Sequence, residues 1–457
     1  MSTRSPRSSR TSEARRWGRA PRSRAAADAS PATSRSPARG HRSRRRPRTT
    51  SCTRTRCITW SSPRMPASTA ARLLDGARVP ALDRSLDADA AIERIAASGL
   101  RGRGGAGFAL ADKLRAVRAN AAGGETYVVA NAYDADPDSP LARALLEQSA
   151  ELVVRGIELA MLITGAAHAF LYLHPAATGA RSAAESALAD RDDIEITLGP
   201  GGFMGGEESA LLNVLESKRA MARQRPPYPA LQGYLMRPTL VSSAETLAWL
   251  PLVLEGAKAE TKLVSVTGIV ASPGVYEVPL GTTIGDVLER AGGVRSSLKA
   301  IHVGGPTGGI LAAARRSAKL DYEDLRAAGT HLGSGQVRAL GTDVCMVREA
   351  GRLFAYLAKE SCAICVPCRV GTKRVQGILE GVSSSLGRDA DLPWLTELGD
   401  HMERFSLCGF GITAPSILRT TMREFPDDYR AHISERRCPT GTCTTLRARR
   451  YETMVQP

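Results

Sequence analysis

The sequence lacks any long apolar run. The nearest candidate, residues 157–173, contains Glu158 and His168, and nothing approaches the about 18 uninterrupted apolar residues that a membrane-spanning helix needs. The N-terminus also has no apolar core of a secretory signal, so we expect neither membrane insertion nor secretion. Nine cysteines in 457 residues are then expected to be thiols or metal ligands in a reducing compartment. This predicts a cytoplasmic protein, either free or peripheral to a membrane complex.

Acidic residues and lysine are nearly absent from the first 64 residues, which hold 18 Arg and no Lys against Glu13 and Asp28. This segment carries the whole net charge of +16, because 44 basic and 44 acidic residues follow it. A neutral body with dispersed charges does not indicate a nucleic-acid partner. The composition of residues 1–70 predicts a disordered Arg/Ser-rich tail. An organelle transit peptide, a nucleic-acid-binding arm and a wrongly assigned start upstream of Met65 all stay open for it.

Strand-like and helical stretches alternate after the tail. The runs TYVVANAY and AFLYLHP are separated by a long helical pattern, which predicts an α/β domain with a parallel sheet over residues 71–257. The segment KLVSVTGIVASPGVYEVPLGTTIGDVLERAGG has the order strand, Pro-Gly turn, strand and helix, the opening of a β-grasp unit over 258–330. A last short strand is predicted near residues 343–347. The helical pattern beyond it predicts a third domain over 335–437, followed by a C-terminal tail over 438–457.

The motif ESCAICVPCR places Cys362, Cys365 and Cys368 three residues apart. Such a loop can hold three irons of a [4Fe-4S] cluster while the fourth thiolate comes from elsewhere. Cys408 is the natural fourth ligand, because it lies 40 residues downstream and an antiparallel return beyond the next helix would bring it back. Zinc, which usually takes two C-x2-C pairs, is an alternative, and incidental free thiols are another.

The remaining cysteines belong to no such motif. Cys345 lies in a strand-like run and is predicted to be a core residue. Cys438 and Cys443 lie near a polar C-terminus and are predicted to bind nothing, while Cys52 and Cys57 belong to the tail.

Two glycine-rich segments run into helices. In GLRGRGGAGF, residues 99–108, bare backbone amides can approach a phosphate, and Lys113 can add a positive charge. Arg101 and Arg103 set this loop apart from the common dinucleotide fingerprint, and a plain turn with surface arginines is the alternative. The second segment, GGEES at 205–209, offers carboxylates to ribose or amide groups, although a helix start favours acidic residues anyway.

The order GLRGRGGAGF, NAYDADPDSP, GGEESALL, RPPYPA, β-grasp unit and ESCAICVPCR resembles the family of NADH-binding flavoprotein (51-kDa) subunits of respiratory complex I. That family includes diaphorase subunits of NAD-linked hydrogenases and formate dehydrogenases. The resemblance covers about residues 70–435 and implies a Rossmann-like FMN domain, an SLBB-like β-grasp domain, and a helical bundle with one [4Fe-4S] cluster. By matched position, it implies FMN at Gly102, Arg103, Gly104, Gly105, Lys113, Asn131, Gly206 and Glu207; NAD(H) at Phe108, Asp136, Phe203, Glu208 and Arg225; and the cluster at Cys362, Cys365, Cys368 and Cys408.

The chain is a divergent member by this resemblance. The family's Asn-Ala-Asp-Glu is Asn-Ala-Tyr-Asp at residues 131–134, and Ser242 and Ser243 replace the usual asparagines. Asp134, Ser242 and Ser243 are kept among the predicted cofactor-binding residues. Tyr133 either stacks near the flavin ring or fills space that NADH needs.

These features predict an NADH dehydrogenase-type subunit that passes electrons from NAD(P)H through FMN to a [4Fe-4S] cluster. The cluster needs an acceptor, and the sequence has no second cluster motif, so an iron-sulfur or ferredoxin-like protein partner is expected. No catalytic acid or base is required. Two alternatives stay open: a flavin and iron-sulfur subunit that exchanges electrons with a ferredoxin-like protein without oxidising NADH, and a non-catalytic scaffold or ligand-binding relative.

Overall fold

A computed structural model of the chain describes residues 73–74 and 78–443. The predicted N-terminal tail and residues 444–457 lie outside the described residues. Among those described, no helix has both the length and the apolar composition needed to cross a membrane.

A four-stranded parallel sheet in the order β3-β2-β1-β4 forms the first part of the structure. Asn131 near the end of β1 is aligned with Ser243 at the end of β4, so the carboxyl ends of these two neighbouring strands form one edge. The β-branched and aromatic runs lie in this sheet because both of its faces are covered. The strands are β1 Tyr127–Ala132, β2 His168–Leu173, β3 Ile194–Leu198 and β4 Thr239–Ser243.

Helices cover this sheet and confirm the Rossmann-like α/β prediction. The side chain of Ser243 accepts from the amide of Thr246 and caps α6, which is buried along its whole length because nearly all its residues are apolar. Trp249 in α6 is fully buried in the shared core. The helices are α1 Ala88–Ala97, α2 Leu110–Ala121, α3 Leu141–Thr164, α4 Thr178–Ala187, α5 Glu208–Leu215 and α6 Ala244–Leu254, with 3-10 turns at Met204–Gly206 and Tyr234–Met236.

The second part is a five-stranded sheet in the order β6-β5-β9-β7-β8, in which β5 and β9 are parallel and the other pairs antiparallel. The strands are β5 Thr261–Gly268, β6 Gly274–Pro279, β7 Leu298–Val303, β8 Gly309–Ala312 and β9 Gln336–Gly341; the helices are α7 Ile284–Arg290 and α8 Tyr322–Ala327, with a 3-10 turn at Ala313–Ser317. This second part is the predicted β-grasp unit, called the β-grasp part below. Its central strand β9 lies beyond the expected end at residue 330, within the range expected for the helical domain. The strand predicted near 343–347 is wrong, because the chain turns after Gly341 and the next helix begins at Met346.

Six helices complete the described chain: α9 Met346–Glu360, α10 Val366–Ser383, α11 Asp391–Phe405, α12 Gly409–Thr413, α13 Ser416–Glu424 and α14 Pro426–Ile433. Their apolar faces share one core that includes Phe354, Leu379 and Met402. The cysteine motif occupies the short connection between α9 and α10 and the first turn of α10. The expected helical C-terminal region with its cysteine motif is therefore confirmed, and its first helix begins at Met346.

Candidate functional site

The first glycine loop closes on itself immediately before α2. The Gly102 amide donates to the Phe108 carbonyl over 2.8 Å, and the Arg103 amide donates to the Thr246 hydroxyl over 2.8 Å. A Cβ placed on Gly104 would lie 3.9 Å from the Cβ of Ser243. The loop therefore stands over the carboxyl end of β4, where the bare backbone can approach a ligand.

The β-grasp part braces this loop from the other side. The hydroxyl of Tyr322 donates to the Gly102 carbonyl over 2.9 Å, and the Arg101 guanidinium lies 4.0 Å above the Tyr322 ring. Gly105 has a φ of +109°, and a Cβ there would lie 3.0 Å from the backbone of Gly333. Only glycine fits such a contact without strain. Tyr322 belongs to no motif, so no sequence pattern indicates its role.

Four predicted site residues meet in one ion-pair network at this edge. The Lys113 ammonium lies 2.6 Å from a carboxylate oxygen of Glu208 and donates to the Val241 carbonyl over 3.0 Å. Arg225 pairs with Glu207 at 2.7 Å and with Glu208 at 3.2 Å. The buried Nε of Arg225 has no protein partner in the described part of the chain. Two cations, two carboxylates and a bare glycine loop make a donor and acceptor set that fits a phosphorylated flavin.

Asn131 links the first strand to the second glycine segment. Its side-chain amide donates to the Gly206 carbonyl over 2.9 Å, and its side-chain oxygen accepts from the Tyr133 amide over 3.2 Å. The side chain of Glu207 caps α5 by accepting hydrogen bonds from the backbone amides at positions 209 and 210. These hydrogen bonds hold the Glu207 carboxylate and the end of β1 in place. Ser242, in β4 beside β1, is buried at the same edge.

Tyr133 lies beneath the second glycine segment and is 1% exposed. Its ring stacks on Tyr172 with centroids 5.2 Å apart. A Cβ on Gly205 would collide with the Tyr133 hydroxyl, and one on Gly206 would also meet this ring. Burial raises the pKa of the Tyr133 phenol. The residue that departs from the family pattern is thus a support for the segment.

Two predicted acidic residues have structural partners of their own. Asp134 accepts from the amides of Ala142 and Arg143, both over 2.8 Å, at the start of α3, and burial raises its pKa to about 7. Asp136 accepts from the Ser334 hydroxyl over 2.6 Å, and burial raises its pKa to about 6. Neither carboxylate joins the network around Lys113.

Two residues of the first glycine loop also stand apart from that network. The Arg103 guanidinium donates to the Ala259 carbonyl over 2.6 Å and to the Tyr322 hydroxyl over 3.3 Å, which directs it towards the β-grasp part. Phe108 is 54% exposed at the end of the loop. Arg103 thus contributes its backbone amide to the loop, while its side chain holds the two parts together.

The cysteine loop and the start of α12 pack together. Cys362, Cys368 and Cys408 are buried and Cys365 is half-buried. A Cβ on Gly411 would lie 3.0 Å from the Cβ of Cys368, so α12 meets the first turn of α10 closely. The return of the chain expected for the fourth cysteine is what brings α12 there.

Burial raises the pKa of Cys368 to about 11 and that of Cys408 to about 12. The charges of Glu207 and of Cys362 add to the effect at Cys408, whereas the amides of Phe410 and Gly411 oppose it. Burial favours the neutral thiol at Cys368 and Cys408. A bound metal would reverse this preference, because its positive charge stabilises the thiolate. Four clustered cysteines of this kind fit an iron-sulfur cluster.

Residues on both sides of the second glycine segment contact the cluster region directly. The Phe203 amide donates to a carboxylate oxygen of Glu360 over 2.7 Å, and the Arg219 guanidinium donates to the Cys362 carbonyl over 3.3 Å. The ring of Phe203 faces those of Tyr356 and Phe410. The two predicted sites are therefore neighbours. Sequence spacing gives no indication of the contacts made by Glu360 and Tyr356.

Three family models match successive parts of the chain. They are the Nuo51 FMN-binding domain over residues 95–251, the SLBB domain over 263–311, and the NADH-ubiquinone oxidoreductase-F iron-sulfur binding region over 348–432. The chain is 33% identical to an NADH-quinone oxidoreductase subunit of Streptomyces coelicolor, over 77% of this chain and 84% of the relative. It belongs to the family of NADH-binding flavoprotein subunits.

A hydrogenase subunit and a hydrogenase crystal structure agree with this family assignment. The chain is 33% identical to the NADP-reducing hydrogenase subunit HndC of Solidesulfovibrio fructosivorans, over 78% of each chain. A crystal structure of NAD+-reducing [NiFe]-hydrogenase in the H2-reduced state matches with a TM-score of 0.70 at 33% identity, over 82% of this chain and 68% of that chain.

The predicted family, fold class and cofactors are confirmed by these matches. The chain is an NADH dehydrogenase-type oxidoreductase subunit with an FMN domain and a [4Fe-4S] region, and it passes electrons to partner subunits.

Proposed function

We propose that NADH is oxidised at the edge where β1 and β4 end, and that the electrons leave through Cys362, Cys365, Cys368 and Cys408. The observation that carries this proposal is the network of Lys113, Glu208 and Arg225 beside the first glycine loop. Bound FMN supplies the chemistry, since it accepts two electrons together and releases them one at a time.

The protein groups bind and orient the reactants. The amides of Gly104 and Gly105 stand shortly before the start of α2, where the helix dipole favours a phosphate. Lys113, in the first turn of α2, adds a full positive charge and is held in place by Glu208. Asn131 at the end of its strand, with Ser242 in the neighbouring one, would contact the flavin ring from the side of the sheet.

Glu207 and Glu208 would accept hydrogen bonds from ribose hydroxyls and the nicotinamide amide. Arg225 pairs with both carboxylates, so they keep their orientation and their charge when water is displaced. Phe108, exposed at the end of the glycine loop, would cover the nicotinamide side. The buried Asp134 and Asp136 would act by holding α3 and the β-grasp part in position rather than by touching NADH.

The acceptor would be an iron-sulfur or ferredoxin-like protein that docks beside the cysteine loop. Ile364 and Val366, on either side of Cys365, are 46% and 58% exposed, and Phe405, three residues before Cys408, is 62% exposed. Exposed apolar side chains of this size near a half-buried ligand are typical of a protein interface. Cluster thiolates fit a reducing, cytoplasmic compartment.

An anaerobic titration with NADH tests the proposal. We expect the flavin absorbance to bleach first and the cluster to become reduced afterwards, as followed by electron paramagnetic resonance. A parallel titration with NADPH identifies the preferred nucleotide. Protein that holds FMN but shows no bleaching with either nucleotide would contradict the proposal and favour electron exchange with a ferredoxin-like protein alone.

A further inference from the structure

A second cluster of potential metal ligands lies away from the cysteine loop. The ligand atoms of Cys345, His432, Cys438 and Cys443 all lie within 4.8 Å of one another. Cys345 precedes α9, His432 lies in the last turn of α14, and the two other cysteines follow α14. Cys345, His432 and Cys443 are buried, and Cys438 is half-buried. Cys438 and Cys443, which the sequence predicts to bind nothing, are therefore candidate ligands by their position.

Three distances among Cys345, His432 and Cys443 match the edges of a tetrahedron around one ion. The sulfurs of Cys345 and Cys443 are 3.8 Å apart, and the Nε2 of His432 lies 3.5 Å from the first and 3.4 Å from the second. Zinc bonds of about 2.3 Å to sulfur and about 2.0–2.1 Å to nitrogen give edges of about 3.8 Å and about 3.5 Å at tetrahedral angles.

The imidazole is already oriented for such a bond. Its Nδ1 donates to the Asp428 carbonyl over 2.6 Å, which leaves Nε2 as the lone-pair nitrogen facing the two sulfurs. The carboxylate of the same Asp428 accepts from the Met346 amide, next to Cys345, over 3.0 Å and from Lys299 over 2.8 Å. One residue therefore fixes both sides of the cluster.

We propose that Cys345, His432, Cys438 and Cys443 bind one structural zinc ion, separate from the [4Fe-4S] cluster. Three thiolates and one imidazole are a common closed zinc set with no position open for substrate. A disulfide between Cys345 and Cys443 would need its sulfurs at about 2.05 Å and would leave the imidazole without a use. A cubane would need thiolates that reach separate irons, whereas these ligand atoms converge on a single point.

The ion would fasten the far end of the described chain to the cluster domain. Cys345 and Cys443 are 98 residues apart in sequence, and α9, which starts beside Cys345, leads at its other end into the cysteine loop. Closing so long a loop removes conformational entropy from the unfolded chain. Zinc binding would therefore stabilise the helices that hold the iron-sulfur ligands.

Metal analysis of the full-length protein, purified anaerobically from zinc-supplemented cells, tests this proposal. We expect about one zinc per chain beside about four irons. His432→Ala and Cys443→Ser should each lose zinc but keep iron and FMN. Cys365→Ser should do the reverse, losing iron while keeping zinc. His401→Ala, which removes an exposed histidine outside both ligand sets, is the matched control and should change neither metal.

Cobalt substitution of the wild-type protein gives a measurement that needs no variant, because tetrahedral cobalt bound to thiolates has intense visible absorption. We expect these bands to appear as zinc leaves. Protein without zinc above background, zinc that survives both substitutions, iron in place of zinc, or a Cys345–Cys443 disulfide in peptide mapping would overturn the proposal. None of these readouts depends on NADH oxidation, so the two proposals can fail separately.

Discussion

The ring of Phe203 lies 5.5 Å from that of Phe410, centroid to centroid, at an interplanar angle of 55°. Phe203 precedes the second glycine segment by two residues, and Phe410 follows Cys408 by two residues. Met204 and Ala210 share one hydrophobic core with the cluster cysteines. The part of the structure with the predicted flavin site is therefore packed against the part with the cluster cysteines. We expect the distance between the two sites to depend on this aromatic contact.

Replacing Phe203 by Ala should loosen that contact. We expect the free energy of unfolding to fall by about 1–3 kcal/mol, less than for a fully buried phenylalanine because the ring is half-buried. Cluster reduction by NADH should slow while FMN content stays unchanged, as measured by stopped-flow absorbance. Phe405→Ala, at an exposed position, is the control and should change stability by less than about 0.5 kcal/mol. An unchanged rate in Phe203→Ala would show that packing does not set the separation.

Features that the sequence predicts well are those with short-range patterns. The C-x2-C-x2-C loop, the alternation of strands and helices and the GGEES segment each depend on neighbouring residues, and each lies where expected. Tyr322 and Thr246 bind the first glycine loop from far along the chain, so no local pattern indicates them. The same holds for Cys345, because its partner His432 follows it by 87 residues.

The side chains of Arg103 and Asp136 have protein partners that their motifs do not indicate. Matched position assigns both to cofactors, but in the structure their side chains bond to Ala259 and to Ser334, in or beside the β-grasp part. A motif fixes where a residue lies along the chain, whereas the direction of its side chain depends on what packs beside it. Which side chains become buried between two parts of the structure depends on tertiary contacts, and the spacing of residues in a motif does not indicate these contacts.

Lys113 gives a direct test of the flavin site. Lys113→Met keeps the length and apolar stem of the side chain but removes the charge, so Glu208 loses its ammonium partner. We expect the apparent affinity for FMN, measured as FMN content after gel filtration, to fall at least about tenfold, since charged hydrogen bonds contribute about 1.5–3 kcal/mol. Arg115→Met, on the same helix but exposed and paired with Glu93, is the control. Equal FMN content in the two variants would contradict the assignment.

Cys408 is the ligand that only the fold brings to the cluster. Cys408→Ser should lower iron and acid-labile sulfide and remove the reduced-cluster signal while FMN remains bound, because the flavin network does not include this residue. Ser406→Ala, two residues earlier and also beside α12, is the matched control and should retain its iron. A Cys408→Ser protein with full iron content would reassign the fourth ligand.

Lys262 and Glu245 form a buried ion pair at 2.6 Å, with side chains 1% and 7% exposed. Lys262→Met alone should lower the free energy of unfolding by about 3–5 kcal/mol, because Glu245 is left as an uncompensated buried charge. The double variant Lys262→Met with Glu245→Gln should recover a large share of that loss. Urea unfolding of the three proteins measures the coupling, and equal losses in the single and double variants would refute this explanation.

His302 should make stability depend on pH. It is 1% exposed, and burial lowers its pKa to about 4, with Arg338 and Arg352 adding to the effect and Glu349 opposing it. The unfolded chain has a histidine pKa of about 6.5, so it binds the proton more tightly than the folded protein does. Stability that is present above about pH 6.5 is therefore lost as the pH falls towards about 4.

The size of that loss can be isolated with His302→Leu. Between about pH 7.5 and about pH 5, wild type should lose about 2 kcal/mol more than this variant does. Asp134 and Asp136, whose raised pKa values act with the opposite sign, are present in both proteins and cancel in the comparison. His401→Leu, at an exposed histidine, should keep the wild-type pH dependence. Parallel pH profiles for wild type and His302→Leu in urea unfolding would mean that His302 has the same pKa in the folded and the unfolded protein, which would contradict this prediction.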